Sequence, residues 1–250
     1  MKNTFFDRPY VAATVVLGLA FIIAFIALGA SVRQLRSTEN TISVTGSAKE
    51  RVSSDIGKFV GSWSRQTTKG SIAAGYSDLA GDLSKIKAYL KAAGATDEEI
   101  IVEPSTSYTE YDYDERGNRV MSSERVVLRQ SVSVTSSDLP KIKKMADEAS
   151  EIVKKGVFFE PQPAQYLYSS EKLSTIRVTL MSKAIIDAKN RADAIAEATG
   201  ANVKKLATAS SGVVQLLRPD SVDVEDYGSY DTSTIEKDVM ITVRANFELR

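Results

Sequence analysis

The sequence predicts an α+β protein: an N-terminal transmembrane helix, then a mainly antiparallel sheet body with three amphipathic helices. Three observations lead there. Residues 9–32 contain no charged side chain, and at about 1.5 Å of rise per residue such a helix crosses the roughly 30 Å core of a bilayer. Residues 41–250 hold no second run of that kind and alternate strand-like with helical patterning. Each long helical pattern is followed by a glycine, at Gly94, Gly156 and Gly200, where a left-handed C-terminal cap is expected.

The expected organisation is a cytoplasmic N-terminus at 1–8, the span at 9–32, a polar stalk at 33–40 and one α+β body at 41–250. A cleavable secretory signal is the competing reading of the apolar run. Such signals have an apolar region of about 7–15 residues followed by small residues; this run is longer, and Ala27-Leu28-Gly29 is a poor cleavage site. Lys2 and Arg8 lie on one side of it, Arg33 and Arg36 on the other, so positive charge barely sets the orientation. The free amino terminus tips it towards N-inside. The expected location is the cytoplasmic membrane, single-pass, with the body on the periplasmic or extracytoplasmic side.

Lys and Arg number 32, as do Asp and Glu, and 43% of residues are hydrophobic. A neutral, mixed surface argues against a nucleic-acid partner, which requires a basic patch or stripe. Cysteine and histidine are both absent. That removes disulfides, thiol nucleophiles, the usual zinc sites and haem ligation by His or Cys. Ser-His-Asp and Cys-His catalysis go with them. The expectation is a non-enzyme without cofactor or metal.

In the body, Ile42, Val44 and Gly46 begin strand-like alternation, Ser53-Ser54-Asp55 reads as a turn, and 56–66 is a second strand bearing Phe59 and Trp63. The two strands are expected to form a β-hairpin. A helix over 71–93 carries Ile72, Tyr76, Leu79, Leu83, Ile86 and Leu90 on one stripe. Strands follow at 100–111 and 119–135. Ser137-Asp138 and Pro140 open a second helix with the stripe Leu139, Ile142, Ala146, Ala149 and Val153. Pro161 and Pro163 make 158–168 an edge strand or extended connector. The longest helix, 171–199, has the stripe Val178, Met181, Ile185, Ala188, Ala192 and Ile195. Strands at 203–210 and 239–249 close the body.

Ala93-Gly94-Ala95 before Ile100 matches Thr199-Gly200-Ala201 before Leu206 at the same spacing. This points to internal duplication of a helix–strand–strand half, although any helix–Gly–strand junction has this look.

Three stretches carry a resemblance: 42–55, with Ser54 where a proline is usual; 128–139, a strand leading into the middle helix; and 184–200, Ala-Ile-Ile-Asp-Ala-Lys-Asn-Arg-Ala through Ala-Glu-Ala-Thr-Gly. In this order and spacing they resemble the SIMPL-domain family, extracytoplasmic bacterial proteins of poorly defined function. The resemblance covers about 41–249. It implies an exported α+β domain, envelope or oxidative-stress association and ring-like self-assembly, and it carries over no catalytic residue. Many members have a cleavable signal in place of an anchor.

The acidic, tyrosine-bearing loop at 220–231 supplies the candidate partner-contact residues Asp223, Glu225, Asp226, Tyr227 and Tyr230, because tyrosine gives amphipathic contact area at low entropic cost. Asp112, Asp114 and Gly117 match part of a calcium loop, but Arg116 and Ser123 fall where ligands are required, so a solvated hairpin tip is expected. Asp187, Arg191, Asp193 and Glu197 read as surface ion pairing. Ala184, Ala188, Ala192 and Ala196 would admit a closely packed element, the sheet before another subunit. Trp63 and Phe59 read as core. The expected function is a membrane-anchored scaffold that self-assembles into a homo-oligomer and meets the lipid bilayer through its N-terminal helix, with no other protein partner named by the sequence. The alternative is an envelope binding module that captures a protein or small ligand through acidic loops. A channel-like assembly or a carboxylate-based enzyme ranks below both.

Overall fold

The computed structural model describes residues 9–36, 40–221 and 228–250, with side chains in the first helix from 14 to 28. Helix α1 spans Pro9–Arg36. Residues 33–36, expected in the stalk, therefore extend the helix, while 1–8 and 37–39 lie outside the described residues. Every described side chain of α1 is exposed. Among the described residues no helix is long and apolar enough to cross a membrane; the described side chains of α1 are fewer than the roughly 20 a span needs.

The remaining helices are α2 Ile72–Ala92, α3 Leu139–Asp147, α4 Ser150–Lys154 and α5 Ser170–Ala198. The strands are β1 Thr41–Ser53, β2 Ile56–Thr67, β3 Ile100–Val102, β4 Thr106–Tyr113, β5 Arg119–Ser136, β6 Phe159–Pro161, β7 Gln165–Leu167, β8 Val203–Ser211, β9 Gln215–Leu217 and β10 Glu236–Leu249. The mixed α+β class with antiparallel pairing is as expected, but the strands form two sheets. One has the order β1-β10-β8, with β9 also on β10; the other has the order β3-β5-β2-β6, with β4 on β5 and β7 on β2. The chain divides into two compact units, one of residues up to Ser47 with 184–212 and 242–250, the other of 48–183 and 213–241.

The expected β1–β2 hairpin is absent. Ser54 N–H donates to Ile235 O at 2.9 Å, continuing the ladder of β1 with β10, and Asp55 N–H donates to Leu167 O at 3.1 Å, starting that of β2 with β7. A two-residue connection looks the same whether its strands pair or part; here each strand has a better-matched partner elsewhere.

In the second unit β2 and β5 pair from Gly57↔Ser136 to Thr67↔Val126. α2 contributes Leu79, Ile86, Tyr89 and Leu90 to the core that holds Phe59, Trp63, Leu128, Val132 and Val134. Trp63 is core as expected, its Nε1–H donating to Leu79 O at 3.2 Å. The α2 stripe is shifted at its start: Ile72 and Tyr76 are exposed, and Asp82 is buried against Arg65. The expected second helix is broken. Ala149 N–H reaches back only three residues to Ala146 O, and Ile152 does likewise to Ala149. This tightening turns Met145, Ala149 and Ile152 inward and leaves Val153 exposed. β6 and β7 lie along the outer side of β2, the edge position the prolines demand.

On α5 the buried positions are Ile176, Leu180, Ala184, Ala188, Ala192 and Ala196, a strict four-residue repeat, and Val178 and Ile195 of the expected stripe are exposed. In the first unit Ala188 and Ala192 pack with Val44, Ala245 and Phe247. Gly46 of β1 sits so close that a Cβ there would collide with Ala184 O and Ala188 N. The element admitted by the alanines is thus a strand.

The two helix ends matched in the sequence have the same cap. Gly94 (φ +98°) and Gly200 (φ +74°) are both left-handed. Ala95 N–H bonds Leu90 O at 2.9 Å, and Ala201 N–H bonds Ala196 O at 2.8 Å, the six-to-one bond of a Schellman cap. Strand order matches too: β3 and β4 pair with β5, which pairs with β2, as β8 pairs with β10, which pairs with β1.

Candidate functional site

Asp223, Glu225, Asp226 and Tyr227 lie outside the described residues. Tyr230 is described and 44% exposed; its hydroxyl accepts from Tyr168 N–H and donates to Tyr168 O, both at 2.9 Å. What the structure defines is the base on which that acidic loop stands.

On the approach side, β9 places Leu216 and Leu217 in the interior beside β10. Asp220 follows with φ +62°, a conformation that aspartate tolerates better than most residues. Its N–H donates to Asp238 Oδ2 at 3.0 Å, and its carboxylate accepts from Arg51 Nη2 at 2.7 Å. Asp238 is buried, and receives Arg51 Nε at 3.0 Å and Lys49 Nζ at 2.7 Å. The Arg51 hydrogen bond, against the cost of burial and with help from Lys49 and the Asp220 N–H, holds the Asp238 carboxyl well below the usual range.

On the return side, Asp231 folds the chain over itself. Its carboxylate accepts from Ser233 N–H at 3.2 Å and Thr234 N–H at 3.1 Å, an Asx-type turn, and from both hydroxyls. Lys237 is fully buried. An ammonium has three donors, and these meet Asp231 O at 2.6 Å, Thr234 O at 2.7 Å and Asp231 Oδ2 at 3.3 Å. Burial pushes Lys237 down, partly offset by Asp231. Burial would raise Asp231, but the Thr234 and Ser233 hydrogen bonds and the Lys237 charge outweigh it and hold that carboxyl low. A buried ion pair is a strong constraint once made, because removing one partner strands the other; typical costs are about 3–5 kcal/mol.

Beside Tyr168 lies a cleft of about 710 Å³ with Val52, Ile56 and Ile176 as apolar lining and Glu50, Asp55, Glu171 and Lys172 at its polar edge. Asp55 occupies the start of α5, accepting from Ser169 N–H at 2.8 Å and from Lys172 at 3.1 Å. It satisfies a free helix donor and complements the helix dipole.

The remaining sequence candidates are structural. Asp114 caps its hairpin by accepting from Arg116 N–H at 2.9 Å and Asn118 N–H at 2.8 Å, and Asp112 pairs with Arg125. Asp187 pairs with Arg191 at 2.9 Å and also accepts from Ser47 N–H at 2.8 Å. Sequence reasoning passed over Arg51, Lys237 and Asp238. For Lys237 a signal existed: Val239, Ile241, Val243, Ala245 and Phe247 alternate on the buried side of β10, and stepping back two residues puts Lys237 in phase with them. The charges of the base are matched to one another on both sides, at Asp220 and at Asp231.

The SIMPL family model, described as a protein of unknown function (DUF541), matches residues 42–247. The chain belongs to this family. No curated protein matches it.

Proposed function

We propose that the chain is a membrane-anchored extracytoplasmic scaffold of the cell envelope that self-assembles into a homo-oligomer, with the 220–231 loop as a contact element and no catalytic step of its own. One observation carries this reading: the side chains of α1 from Val15 to Leu28 are exposed on every side of the helix. A helix apolar all round needs an apolar surrounding, and Pro9–Arg36 is 28 residues, about 42 Å at 1.5 Å per residue. A tether also raises local concentration, so weak contacts between bodies suffice. The hydrogen-bonded base described above supports the loop's part in contact, since anchoring Asp220 and Asp231 lowers the ordering cost of binding.

The test is the full-length chain expressed in bacteria. After alkaline carbonate washing it should stay with the membrane pellet, and in detergent its mass should be a fixed multiple of 27.2 kDa. Release into the wash would end the tethering reading, and a monomer in detergent would end the assembly reading. The cleft beside Tyr168 favours a second reading, an envelope module that captures a small ligand, because its volume falls in the usual range for such sites. A screen of amines and amphiphiles for a raised Tm would support it; no shift across the screen would oppose it.

A further inference from the structure

We infer that β4 of one copy adds as a strand to the free edge of β8 of a second copy. The inference rests on the self-assembly proposed above and names its interface. Among the described residues β4 and β8 are each paired on one side only, β4 with β5 and β8 with β10. Such edges expose a row of backbone donors and acceptors, and proteins usually cover or interrupt them. Here both stay open over a useful length, eight residues in β4 and nine in β8. Every side chain of β8 from Lys204 to Ser211 is exposed, on both faces of the strand.

The charges choose the occupant. β8 carries Lys204 and Lys205 and no acidic residue; β4 carries Glu110 and Asp112 and no basic one. Each strand is only partly neutralised at home. Arg125 serves both Glu110 and Asp112, and of the two lysines Lys205 meets Glu248 at 3.4 Å. Antiparallel addition with Ala207 opposite Thr109 puts Lys204 directly opposite Asp112 and diagonal to Glu110, where unlike charges attract. Towards the other end of that register Ala207, Ala209 and Ser210 face Thr109, Ser107 and Thr106, small side chains that let the backbones approach, while Tyr108 and Tyr111 stand opposite Thr208 and Lys205. Made once between each pair of copies, a contact between two different surfaces is head-to-tail and closes as a ring or runs on as a filament.

The chain has no cysteine, so introduced thiols report without background. The full-length protein in detergent is treated with a short bis-maleimide. T109C/A207C should give a ladder of dimers, trimers and higher species, whereas T109C alone and A207C alone stay single and, mixed, give dimers only. K204E/K205E, folded by circular dichroism, should weaken assembly at least ten-fold and lose the salt sensitivity of the parent. An oligomer of unchanged mass without the paired cross-link, or cross-linking in one single variant alone, overturns the strand assignment and leaves self-assembly standing. A monomeric parent overturns both.

Discussion

The two halves share a strand order and a helix cap but are packed by opposite means. The half built on β2, β5 and α2 is filled with bulk: Phe59, Trp63, Leu79, Ile86 and Leu90 meet in one core. The half built on β1, β10 and α5 is packed by subtraction, with Gly46 against Ala184 and Ala188, and Ala192 beside Ala245. Bulky packing tolerates trimming at a graded cost. Close backbone packing tolerates almost no addition, because nothing between the elements can move aside.

The largest expected effect follows directly. Gly46→Val places a branched side chain into the backbone of α5 and should destabilise by more than about 3 kcal/mol, read as loss of cooperative urea unfolding or of soluble expression. A near-parental midpoint would mean that the helix does not approach the strand as closely as described. In the bulky half, Ile86→Ala removes a fully buried side chain and should cost about 2–5 kcal/mol with the fold retained, measured as a lowered urea midpoint at constant m-value.

The loop base should respond to acid. Asp238 and Asp231 have folded-state pKa values held below the unfolded value, which is about 3.9. A depressed carboxyl stabilises the fold above its unfolded pKa and loses that contribution as pH falls towards its folded value. Stability should therefore decline as pH drops below about 4, and Asp238→Asn should lower stability at neutral pH while flattening that decline. An unchanged acid profile in the variant would remove Asp238 from the base. The smallest effects should be similar across the halves: Gly94→Ala and Gly200→Ala each force a side chain into the left-handed region at about 1–2 kcal/mol, with Gly94→Ala the larger because its Cβ would also press on Lys141 Cδ at 3.3 Å while that of Gly200 meets open space. A larger Tm loss at Gly200 would weaken the argument that the two caps are alike.

These contrasts also mark what a reader of the sequence could see. Gly94 and Gly200 were legible because a left-handed cap is a local requirement. The latter half of the α2 stripe was legible because its large residues announce the buried side. The α5 stripe was misassigned because alanine is a weak apolar signal: Val178 and Ile195 looked more buried than Ala184 and Ala196, and the reverse holds. The β1–β2 hairpin failed because pairing is decided by remote strands, β10 and β7. Of the candidate site, Tyr230 was legible as an exposed aromatic in an acidic loop. Of the groups that secure the base, Lys237 left a signal in its phase with the buried side of β10, whereas Arg51 and Asp238 did not, because they meet only when segments far apart in the chain come together.

The ladder between β1 and β10 has a consequence for biosynthesis. Asn40 O accepts from Leu249 N–H at 2.8 Å, so a strand made early waits for one made some two hundred residues later. Closing so long a loop costs little more at equilibrium than closing a short one, since each doubling adds about 0.6 kcal/mol, but it delays folding. While the ribosome is still working, β1 has no partner, whereas β2, α2 and β5 can already assemble. A nascent chain of this design keeps its leading strand unpaired until synthesis is nearly done, so the order of synthesis and the order of folding run opposite ways for this sheet.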